Sequence, residues 1–110
     1  MPEQTMTTGV KQILQAAEGF ANEHRSTGRQ PFFHPTSMYL PSQPLRRYSA
    51  FTRDVSEQGI GLLHAMPLEP GRITLETYLG EGKCIKNRVE ITWCLPCGDG
   101  WFISGGAFVV

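Results

Sequence analysis

The sequence predicts an all-β protein: a six-stranded antiparallel barrel preceded by one N-terminal α-helix. Three observations predict it. Apolar and polar residues alternate over several short runs after about residue 48, the period of a half-buried strand. Those runs recur roughly every ten residues and are separated by Gly- and Pro-rich punctuation. Only the first 24 residues carry the three-and-four spacing of a helix. A series of short strands in so small a chain favours closure, because a barrel leaves no strand edge exposed.

Residues 1–8 are polar. From Gly9 to about His24, the residues Val10, Ile13, Leu14, Ala17, Phe20 and Ala21 form one apolar stripe, and Thr7 or Thr8 is placed to cap that helix. The stripe calls for a cover, either the barrel itself or a partner helix or second subunit. Gly28 and Pro31 end the helix and open a polar arm over 25–31. The run 32–40 has strand character, with Pro35 confining it to an edge or a bulge. Pro41 and Pro44 mark a loop. Strands are then expected over 48–55, 60–64, 73–79, 85–93 and 101–110, with turns at 66–71, 80–82 and 95–100. In the strand over 85–93, Ile85, Val89, Ile91 and Trp93 share the inner face with Asn87. Trp93 and Trp101 are expected to stack across the following turn. The chain divides into a tail and helix, 1–24, and a barrel domain with its arm, 25–110.

Composition narrows the function. Of 110 residues, 40% are apolar and 18% charged, the balance of a chain with one hydrophobic core. Ten basic residues offset ten acidic ones. That neutrality argues against a general nucleic-acid or membrane-surface binder. No apolar run is long enough to span a bilayer, and the first residues lack a signal-peptide pattern, so a cytoplasmic location is expected. Three cysteines are an odd number, a poor fit to a secreted disulfide framework. Arg46 and Arg47 read as surface residues that extend a positive rim at most.

Two motifs carry chemistry. The first is Arg25-Ser-Thr-Gly-Arg29, on the arm. The second is Asp54-Val-Ser56-Glu-Gln-Gly59, at a strand-to-strand turn and followed by Ile60-Gly-Leu-Leu63. Alone, the first reads as a solvated helix end and the second as a turn. Together they supply what a phosphorylated guanine ligand needs. An arginine fork meets the paired acceptors O6 and N7 of guanine, or a phosphate. A carboxylate such as Asp54 accepts from N1–H and N2–H. Ser56 offers a hydroxyl, and Gly59 permits positive φ and close backbone approach. Gly28 lets the arm bend so that both forks face one anion.

On these motifs the chain resembles the PilZ domain, the bacterial receptor for cyclic di-GMP. The resemblance runs from about Arg25 to Val110. It includes the Pro70-Gly71 turn, Val89-Glu-Ile-Thr-Trp93 and the closing Gly100-Trp-Phe-Ile-Ser-Gly-Gly-Ala-Phe108. It implies that Arg25 and Arg29 grip guanine edges and phosphates, that Asp54 meets the Watson–Crick edge, and that Ser56 and Gly59 complete the site. It also implies a ligand that often binds as an intercalated pair. The expectation is therefore a second-messenger receptor, not an enzyme, with no metal or cofactor, whose arm and helix shift to regulate a protein partner or a homodimer. A nucleotide-independent adaptor of the same fold is the alternative.

Cys94-Leu-Pro-Cys97 has the spacing of a redox motif, but a strand follows it where that chemistry wants a helix N-terminus. A zinc site from Cys84, Cys94, Cys97 and one of His24, His34 or His64 lacks a second pair at ligand spacing. The three histidines are isolated, and none is expected to be catalytic.

Overall fold

The computed structural model describes residues 28–110. The expected helix over 9–24, its preceding tail and Arg25 lie outside the described residues. Within them, every regular element is a strand: β1 (Gln30–Pro31), β2 (Pro35–Leu40), β3 (Gln43–Val55), β4 (Gly59–His64), β5 (Gly71–Gly80), β6 (Lys83–Gly98) and β7 (Trp101–Phe108). All pairings are antiparallel. The order β3-β2-β5-β6-β7-β4 closes on itself through the β3–β4 pairing, giving a six-stranded barrel. Short β1 continues the line of β2 along β3, with Gln30 opposite Val55 and Pro31 opposite Asp54. The line is broken over Phe32–His34, just before Pro35, which opens β2 opposite Phe51.

Alternation decides which residues fill the barrel. Met38, Ala50, Val55, Ile60, Leu62, Ile73, Leu75, Ile85, Val89 and Ile91 are buried, along with Phe32 and Leu68. Asn87 is buried among them, on the inner face as its position in the pattern predicts. Truncating one of the large members to Ala costs about 2–5 kcal/mol. Several of the other buried polar groups find partners. Thr36 and Thr77 share a hydroxyl–hydroxyl bond of 3.0 Å. His64 sits between the Met66 carbonyl, 2.6 Å from Nδ1, and the Ser104 hydroxyl, 2.8 Å from Nε2. A carbonyl only accepts, so Nδ1 carries the proton and Nε2 accepts from Ser104.

Three expectations are corrected. Strand β3 starts at Gln43, so the expected loop around Pro41 and Pro44 contracts to Pro41-Ser42, with Leu40 opposite Gln43. The expected turn over 95–100 contracts to Asp99-Gly100, both at positive φ (56° and 81°), and β6 runs on to Gly98. Asp-Gly fits a two-residue hairpin whose twist matches its strands, which frees 95–98 to pair with β7. Finally, Trp93 does not share the inner face of Val89 and Ile91. A bulge at Thr92 turns it outward, where it is 40% exposed. It stands opposite Gly105 and Trp101 opposite Gly98, so the two indoles are not cross-strand partners.

Candidate functional site

The second motif forms the turn between β3 and β4. Ser56 is buried there, and its Oγ accepts from the backbone N–H of Gln58 (3.2 Å) and of Gly59 (3.3 Å). The Ser56 N–H donates to the Gly59 carbonyl at 2.9 Å. Such a serine turn fixes the loop without regular pairing. Gly59 has no positive φ. Its need is space alone: a Cβ there would collide with the backbone carbonyl of Gly106 on β7.

The first motif reaches this turn from the other side. Arg29 Nη2 donates to Asp54 Oδ1 at 2.6 Å, and Nη1 lies 3.5 Å from Ser56 Oγ. Arg29 thus meets Asp54 and Ser56, more than two dozen positions further along the chain, at one corner of the barrel. Charge-assisted bonds of this length are among the stronger kinds. Arg53 adds a second guanidinium. Its Nη1 is 3.7 Å from Asp54 Oδ2, while Nε donates to the Leu62 carbonyl at 3.1 Å and Nη2 to the Ser104 carbonyl at 3.4 Å. Asp54 is therefore held between two arginines.

Two bulges shape the space beside this corner. Thr52 pairs with Leu62 and Asp54 with Gly61, so Arg53 is the extra residue on β3. Ile91 pairs with Gly106 and Trp93 with Gly105, so Thr92 is the extra residue on β6. Gly61 and Gly105 face each other across β4 and β7. One row of the sheet thus reads Asp54, Gly61, Gly105, Trp93. A Cβ on Gly61 would lie 2.6 Å from Asp54 Oδ1 and 2.8 Å from Arg53 Nη2. A Cβ on Gly105 would lie 2.5 Å from the Trp93 indole nitrogen. The two glycines make a flat floor on which charged groups lean in from one end and an indole from the other.

The result is a cleft of about 450 Å³, lined by Arg29, Arg53, Asp54, Trp93 and the backbone around Gly59 and Gly105–Ala107. Two cations against one carboxylate leave it net positive. It offers two donor forks, one carboxylate and one aromatic face. That combination suits a planar, anionic ligand with both donors and acceptors on its edge.

Of the five residues expected from sequence, Arg29, Asp54, Ser56 and Gly59 meet at this site, while Arg25 lies outside the described residues. Arg46 and Arg47 are exposed at the far end of β3, Arg46 over the Tyr48 ring at 4.9 Å, and neither lines the cleft. Sequence reasoning missed Arg53 and Trp93: Trp93 owes its outward position to the bulge at Thr92, whereas Arg53 faces outward in step with Phe51 and the bulge on β3 brings Asp54 to the same side. The available signal was the pair of strand glycines, Gly61 and Gly105, since a glycine inside a strand marks a bulge or a close approach. Among the described residues, no three of His, Cys, Asp and Glu meet as a metal-ligand group. A larger cleft, about 550 Å³, lies on the outside of β2, β5 and β6, around Tyr39, Arg72, Glu76 and Arg88. None of the motif residues reaches it. No protein-family model matches the chain, and no curated protein matches it.

Proposed function

We propose that this chain is a receptor domain for cyclic di-GMP and that it performs no catalysis. The observation that carries the reading is the meeting of Arg29, Asp54 and Ser56 beside a glycine-floored cleft walled by Trp93. The resemblance to the PilZ domain rests on those same positions.

The cleft's chemistry gives each residue a role. A guanine base lies on the floor against the Trp93 face. The Arg29 fork leaves Asp54 and takes either a phosphate or the O6/N7 edge. Asp54, still held by Arg53, then accepts from the N1–H and N2–H edge. Ser56 keeps the turn closed, and its hydroxyl donates to Gln58 Oε1, 3.5 Å away. Arg25 completes the grip from the arm. Ligand binding therefore exchanges one internal ion pair for several charged contacts. The arm moves with Arg29, and that motion is what a partner reads.

The test is anisotropy of a fluorescently labelled cyclic di-GMP. Saturable binding by the wild-type chain, weakened strongly in Arg29→Ala and in Asp54→Asn, is the expected result. Equal binding by all three proteins removes the site assignment.

A further inference from the structure

The cleft outside β2, β5 and β6 is built by alternation. Ile73, Leu75, Thr77, Ile85, Asn87 and Val89 point into the barrel and are buried, so Arg72, Thr74, Glu76, Lys86 and Arg88 stand on the outer face. Register sets their order. Thr74 lies between Tyr39 on β2 and Arg88 on β6, and Glu76 lies opposite Lys86. Leu40, Pro41 and Pro44, from the β2–β3 hairpin, add an apolar wall. The volume, about 550 Å³, is that of a small-ligand pocket.

Charge in this cleft is not balanced from within. Glu76 faces Lys86, yet its Oε1 accepts from two hydroxyls, Tyr39 at 3.1 Å and Tyr78 at 3.3 Å. Ser37 bonds the Tyr78 hydroxyl in turn, at 3.1 Å. Arg72 is paired with Glu90, Nε to Oε1 at 3.1 Å. Lys86 and Arg88 have no ion-pair partner among the described residues. They stand two apart on one face of β6, about 7 Å along the strand. Arg47 lies beside the Tyr39 hydroxyl and adds a further cation. Four cations thus meet two carboxylates, each of them already engaged. Two like charges held side by side on a sheet gain from an anion that bridges them.

We propose that this cleft is a second binding site, for a small organic phosphate. The Arg88 fork and the Lys86 ammonium take phosphate oxygens, and the Thr74 hydroxyl, across from Arg88, donates to a third. A phosphate monoester has three terminal oxygens for these three donors, where a carboxylate has two. The organic part of the ligand lies against Leu40, Pro41 and Pro44. β5 is opposite β4 in the ring of strands, and no residue lines both this cleft and the one at Asp54. The inference therefore does not depend on what the other cleft binds.

The test is an NMR titration of the isotope-labelled 110-residue chain with phenyl phosphate, following backbone amide shifts at low salt. Saturable shifts are expected at Thr74, Lys86 and Arg88, and none at Gly61 or Gly105. Arg88 is exposed, so Arg88→Gln is expected to fold as the wild type does and to bind roughly tenfold more weakly. Arg29→Ala is expected to bind phenyl phosphate unchanged. Inorganic phosphate is expected to shift the same amides with lower affinity, because it makes no contact with the apolar wall. Shifts that never saturate, equal binding by Arg88→Gln, or shifts centred on Gly61 and Gly105 each overturn the proposal. Capture of the chain by phosphatidylglycerol vesicles, without a response to phenyl phosphate, also overturns it and assigns the cations to lipid headgroups.

Discussion

Gly61 and Gly105 face each other across β4 and β7, and each lies beneath a bulge on its outer neighbour. Arg53 and Asp54 lean over Gly61, and Trp93 leans over Gly105. These side chains lie close against the sheet because the residue beneath each has no side chain.

Two glycine substitutions separate space for the ligand from space for the fold. In Gly105→Ala the new methyl meets the Trp93 indole, a half-exposed ring that is able to swing aside. The expected result is a shifted tryptophan emission and at least tenfold weaker ligand binding, with denaturation little changed. In Gly59→Ala the methyl meets the Gly106 backbone carbonyl, which has no such freedom. A loss of about 1–3 kcal/mol in urea denaturation is expected.

Arg29→Ala separates binding from stability. The Arg29–Asp54 pair is partly solvated, so its removal costs no more than about 1 kcal/mol in urea denaturation. Its effect on ligand affinity is expected to be far larger, roughly tenfold to hundredfold, as for a charged hydrogen bond lost to a ligand.

Trp93→Ala tests the aromatic wall. Base stacking on an aromatic side chain is worth about 1–3 kcal/mol, or roughly tenfold to hundredfold in affinity. Trp101→Phe, outside the cleft, is expected to bind as the wild type does. In that variant Trp93 is the sole tryptophan, and its emission is expected to change on ligand titration.

His64 makes the fold sensitive to acid. Burial holds its pKa below the ordinary value, against the opposing pull of the Met66 carbonyl, and the nearby Arg53 charge lowers it further. In the unfolded chain the imidazole protonates near its usual pKa of about 6.5. Below that pH the unfolded state binds the extra proton, so stability falls as pH drops. Urea midpoints are expected to be constant above about pH 7 and to decline below about 6.5. In His64→Gln that His64-linked part of the decline is expected to be absent, on a lower overall stability.

Most strand positions were legible because period-two alternation and Pro/Gly punctuation are local signals. The strands over 60–64 and 73–79 show this, lying within β4 and β5. The barrel itself followed from spacing and closure. Trp93 was misplaced because alternation assumes an unbroken ladder, and a single extra residue at Thr92 reverses every face beyond it. On β3 the same device brings Asp54 outward beside Arg53, where unbroken alternation would have pointed Asp54 inward. Asp99-Gly100 closes its hairpin in two residues, where Pro96 and Cys97 had suggested a longer turn. The motif residues were legible as types, but their meeting at one corner is a property of the β1–β3 register.

The central claim is tested most directly by calorimetric titration of the chain with cyclic di-GMP, beside the Arg25→Ala/Arg29→Ala double variant. Exothermic, saturable binding by the wild type is expected, with one or two ligands per chain, and no measurable heat from the folded variant. Absence of binding by a well-folded wild-type sample contradicts it, and turns the question to a nucleotide-independent protein partner.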